Sequence, residues 1–103
     1  MTEERSDRSV ISNLQGFTWS TGESVAYEAA VEAISEAVGA YSAVIAAEEA
    51  KKNPSQRVLE RARAGQAACA RSREQLDPSD RAAVASARQE FSDLSSRIRQ
   101  GRW

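Results

Sequence analysis

The sequence predicts an all-α protein: an antiparallel three-helix bundle with a long first helix and an amphipathic N-terminal arm. Three observations carry this. Apolar residues recur at alternating spacings of three and four in three separate segments. A polar cap precedes each segment. The two connections, around Asn53-Pro54 and Leu76-Asp77-Pro78-Ser79-Asp80, are only a few residues long, which makes successive helices antiparallel neighbours.

Residues 1–20 are read as the arm and residues 21–103 as the bundle. Within the arm, Val10, Ile11, Leu14 and Phe17 fall at helical spacing, with Ser6 as a cap and Gly16 as a stop for a short helix before Trp19. Two roles stay open for it: folding back as a fourth layer on the core, or docking in a partner's groove.

The first helix is expected from about residue 22 to about 51, capped by Ser20 with Glu23 or by Thr21 with Ser24. Tyr27, Val31, Ile34, Val38, Tyr41 and Ile45 place its bulky residues on one stripe. Lys51 and Lys52 suit its C-terminal end. Being longer than the other two helices, it should overhang the bundle near residues 22–28. A second series, Ala29, Ala33, Glu36, Ala40, Ala43 and Ala47, lies away from Tyr27 and Ile45. That seam is either plain helix-forming sequence or a contact for a partner or a second copy.

The second helix is expected over about 54–76, with Asn53 as cap and Pro54 at the first helical position. Its stripe of Val58, Ala62, Gly65, Cys69, Ser72 and Leu76 is mostly small and buries little area. Gly65 costs about 1 kcal/mol relative to alanine, which close packing against Tyr41 or Phe91 would offset. Cys69 reads as a small core hydrophobe. The third helix repeats the pattern, with Leu76-Asp77-Pro78-Ser79-Asp80 as cap and Pro78 at its first position. It carries Val84, Ala87, Phe91, Leu94 and Ile98 and stops at Gly101. For Trp103 the sequence decides nothing.

Composition narrows the function. The chain has 103 residues, the size of one domain, and 41% are hydrophobic, but 19 are alanine. The core is therefore thin, and support from a partner or an oligomer is expected. Histidine is absent and Cys69 is the only cysteine, which removes zinc-finger spacing, Ser-His-Asp and Cys-His catalysis and disulfides. The expectation is a protein that is not an enzyme and uses no metal or cofactor. A di-iron bundle needs Glu-x-x-His pairs, which cannot be built here. Arginines cluster at Arg57, Arg61, Arg63, Arg71 and Arg73, and again at Arg97, Arg99 and Arg102. Yet the net charge is −1 without interleaved aromatics, so no nucleic-acid partner is expected. No apolar run of membrane-spanning length is read, and Met1-Thr2-Glu3-Glu4 does not start a signal peptide. A cytoplasmic protein without a membrane partner follows, and a lone free cysteine is compatible with it.

Charge is distributed unevenly. From Ser20 to Ala50 there are six Glu and no base, whereas Pro54 to Leu76 holds five Arg and two Glu. Glu28, Glu32 and Glu36 follow one another at i, i+4, a spacing that costs an isolated helix a few tenths of a kcal/mol per pair, about 0.2–0.5. The row is either a solvated face balanced by Arg57, Arg61 or Arg73, or an acidic surface for a basic cleft on another protein. With the arm residues Val10, Ile11, Leu14, Phe17 and Trp19, these three glutamates are the candidate partner-binding residues.

A Trp-x-Gly pattern of the kind found in small secreted helical proteins is not met, since Trp19-Ser20-Thr21-Gly22 has one residue too many and precedes the first long helix. The stretch from Tyr27 to Ile98 instead resembles small bacterial proteins encoded beside zeta-type toxin kinases. The residues that carry the likeness are Tyr41-Ser42-Ala43-Val44-Ile45-Ala46-Ala47-Glu48-Glu49-Ala50-Lys51, the Asn53-Pro54 turn, the Arg- and Glu-rich second helix, and Leu76-Asp77-Pro78-Ser79-Asp80. Such proteins play the antitoxin role of the epsilon family. The resemblance implies a three-helix-bundle antitoxin that binds a P-loop kinase acting on UDP-N-acetylglucosamine and blocks its nucleotide site. It transfers no particular inhibitory residue. The alternative from another class is a non-catalytic homo-oligomeric adaptor or structural bundle, a homodimer through the alanine seam.

Overall fold

The computed structural model describes residues 21–103, and among them three helices and no strand: α1 (Thr21–Glu49), α2 (Gln56–Gln75) and α3 (Arg81–Arg99). The antiparallel three-helix bundle is as expected, and each boundary falls within a few residues of the spacing-based reading. The arm, residues 1–20, lies outside the described residues.

α1 is the hub. It packs along both other helices, and the backbones of α2 and α3 do not meet. The register of α2 is fixed by Gln66, whose side-chain amide donates to the Val38 carbonyl at 3.0 Å and to Ser42 Oγ at 2.8 Å. Arg63 pairs with Glu49 at 3.0 Å one turn further along. α2 therefore runs back from the C-terminal end of α1, and its last turn (Ala70, Arg73, Glu74) lies opposite Tyr27 and Ile34. The chain then crosses to the start of α1, where Arg81 pairs with Glu23 at 3.0 Å and α3 begins. The expected overhang of residues 22–28 is thus corrected on one side. The first turns of α1 are covered by α3 and lack α2, because the loop 76–80, not a longer α2, spans the difference in helix length.

The caps also differ from the reading. Ser55, not Asn53, caps α2, its hydroxyl accepting from Val58 N–H at 3.2 Å. Pro54 precedes the cap and is not the first helical residue. The reason is Glu48, a buried carboxylate that accepts the Ser55 N–H at 2.8 Å and so holds Ser55 extended, outside the helix. Likewise Asp80 caps α3, accepting from Ala83 N–H at 3.0 Å. Asp77 instead closes the preceding turn, accepting from the Ser79 N–H and hydroxyl at 2.9 and 2.8 Å. Pro78 lies in that turn.

The core is built from Ala33, Ile34, Ala37, Ala40, Tyr41, Ala62, Cys69, Phe91 and Ile98. On α1 only Ile34 and Tyr41 of the bulky stripe are buried, while Ala30, Ala33, Ala37 and Ala40 are. Ala33 and Ala40, expected on an outward seam, are interior. They sit about 100–200° around α1 from the Val38–Ser42 edge that α2 grips, on the side open to α3. With side chains this small, α3 can approach the α1 backbone closely. Leu59 is buried although it lies beside the expected stripe of α2, and so is Ser95, whose hydroxyl has no hydrogen-bond partner among the described residues.

α3 ends in a Schellman motif. Gly101 has φ 76°, its N–H donates to the Ile98 carbonyl at 3.0 Å, and the Arg102 N–H donates to the Arg97 carbonyl at 2.8 Å. The reversal returns Trp103 to the bundle. Its ring meets Tyr41 edge-on at 5.5 Å between centroids, the Arg61 guanidinium lies 4.7 Å above it, and Arg61 also donates to its carbonyl. Trp103 thus joins α2 to the C-terminal end of α3 across α1. Gly65 makes room for the stack: a Cβ there would lie 2.6 Å from the Tyr41 hydroxyl.

Candidate partner-binding surface

Where α2 ends, the apolar stripe of α1 continues without it. Tyr27, Ile34, Ser35 and Val38 form one wall of a groove of about 540 Å³, with Ala70, Arg73 and Glu74 on the α2 side. It runs on into a space of about 400 Å³ lined by Tyr27, Glu28, Val31, Glu32 and Arg73. Tyr27, Val31 and Val38 are half-buried. The two spaces form one slot beside the first half of α1, apolar at its floor and charged at its rim.

Glu28 and Glu32 belong to that rim, and Glu36 follows them further around α1; all three are exposed. At this end the acidic row borders the bulky stripe, Glu28 and Glu32 lying beside Tyr27 and Val31. Arg73 faces the same space, yet the ion pairs formed among the described residues join Glu48 to Lys51, Glu49 to Arg63 and Glu23 to Arg81. Among the described residues, Glu28, Glu32 and Glu36 take part in none of these ion pairs. Of the other expected contact residues, Val10, Ile11, Leu14, Phe17 and Trp19 lie outside the described residues. A second, smaller hollow of about 310 Å³ lies on the other side of α1, between Glu23, Ala26, Arg81 and Val84. Its walls are shorter side chains bridged by the Glu23–Arg81 pair.

The arginines are dispersed. Arg61 is spent on Trp103 and Arg63 on Glu49. Four groups have shifted proton affinities that are structural in origin, one of them Asp77, lowered by the N–H and hydroxyl of Ser79. Glu48 is held below the ordinary carboxylate range by the Ser55 N–H and by Lys51. Burial, with the nearby Cys69, pushes the Tyr41 phenol up against the opposing influence of Arg97 and Arg61. Burial likewise raises the Cys69 thiol, which makes it a poor nucleophile. Among the described residues no three His, Cys, Asp or Glu side chains converge as metal ligands.

One expectation about α1 needs correction. By length and hydropathy, Gly22–Glu49 is apolar enough to cross a membrane, because its alanines sum to a high hydropathy although each is small. In the bundle four of its nine alanines, Ala30, Ala33, Ala37 and Ala40, are buried, while Ala26, Ala43, Ala46 and Ala47 are exposed. The same segment carries Glu28, Glu32 and Glu36, and an acidic side chain near the bilayer centre costs about 2.5 kcal/mol or more.

No family model matches the chain, and no curated protein or solved structure shows significant similarity to it.

Proposed function

We propose that this chain is a non-catalytic, cytoplasmic antitoxin that binds a zeta-type toxin kinase and covers its nucleotide site. The observation that carries the reading is the row Glu28, Glu32 and Glu36, exposed and outside the ion pairs formed among the described residues, beside an apolar slot between the first half of α1 and the last turn of α2. A P-loop nucleotide site is a cradle of backbone N–H groups and a lysine at a helix N-terminus, complementary to negative charge. Carboxylates on a rigid helix suit it electrostatically, and the adjoining apolar floor supplies the area that charge alone does not. The sequence resemblance contributes the class of partner. The arm residues Val10, Ile11, Leu14, Phe17 and Trp19 extend the contact from the preceding segment of chain.

Co-expression with the product of the neighbouring gene tests this. Purification through a tag on this chain should bring down a P-loop kinase that arrests growth when expressed without it. Recovery of this chain alone, as a dimer or larger oligomer, would replace the reading with the self-associating adaptor. The exposed Ala43 and Ala47, the part of the alanine seam that the bundle does not bury, would then be the contact.

A further inference from the structure

We draw no further inference here: the strongest candidate, the groove of about 540 Å³ that Tyr27, Ile34 and Val38 of α1 form with the last turn of α2, belongs to the surface already described, and nothing among the described residues shows what covers it.

Discussion

Tyr41 and Tyr27 lie on the same stripe of the same helix, four turns apart, and end in different surroundings. Tyr41 is enclosed by Gly65 of α2 and by Trp103, which the Gly101 turn returns from the end of α3. Tyr27 is half-buried at the edge of an open slot, beside Glu28, Val31, Glu32 and the last turn of α2. The contrast separates the two ends of one element by packing. Where three segments converge, α1 is enclosed; beside the last turn of α2, the same apolar stripe is half-buried among the described residues and is bordered by the exposed Glu28 and Glu32.

The largest expected effect breaks the closed end. Tyr41→Ala removes a buried ring and leaves a cavity, and should cost about 3 kcal/mol, whereas Tyr27→Ala should cost about 1. Thermal melting of the two variants should therefore separate them by roughly 10 °C for a domain of this size. Equal losses would show that the two ends are packed alike.

Glycine gives a comparison of opposite signs. Gly65→Ala gains helix propensity of about 1 kcal/mol but forces the Tyr41 ring aside, and overpacking of about 1–3 kcal/mol should leave it net destabilised. Gly39→Ala meets nothing within 4 Å and should stabilise by about 0.5–1 kcal/mol. Denaturant midpoints for the pair would expose any error in the placement of Tyr41. Trp103→Ala, which removes an edge-on ring contact and the Arg61 cation, should cost about 1 kcal/mol, and Gly65→Ala should be less harmful in its background.

The smallest effects are pH-dependent. Because the Glu48 pKa is lowered in the folded chain, its contribution is fully present above the ordinary glutamate value and is lost as pH falls through the lowered one. The Tyr41 pKa is raised, so its contribution is complete below the usual phenol value and is lost as pH rises through the higher one. Melting curves should therefore weaken on both sides of neutrality. Glu48→Gln should flatten the acid limb and Tyr41→Phe the alkaline limb. A limb that keeps its slope in its own variant belongs to another group.

Spacing and capping chemistry made the fold legible. The three-and-four rhythm located the three described helices, and Gly65 was readable as a close approach to Tyr41 or Phe91, of which the structure shows Tyr41. The misreadings share a cause: each depended on a long-range partner. Asn53 and Ser55 are equally good caps locally, and the choice falls to Glu48, seven residues before Ser55. Ala33 and Ala40 look like an outward seam until α3 is placed on them. Leu59 is buried with Ala62 and Cys69, a series at helical spacing one position beyond the Val58 register. Of the candidate surface, the row Glu28, Glu32 and Glu36 was visible from the sequence, but its junction with the apolar stripe was not, since that depends on where α2 stops relative to α1. Trp103 had no local signal, and its position follows from the positive φ at Gly101.

The most direct test of the proposed contact is the affinity of two charge-matched variants for whatever kinase the co-expression experiment recovers. One is Glu28→Lys/Glu32→Lys/Glu36→Lys; the other reverses the exposed Glu60, Glu90 and Asp93 on α2 and α3. The account predicts that the first variant loses association rate and affinity, most strongly at low salt, with melting unchanged, and that the second binds nearly as the parent does. Equal losses in both variants, or none in either, would contradict the assignment of this face of α1 as the contact surface.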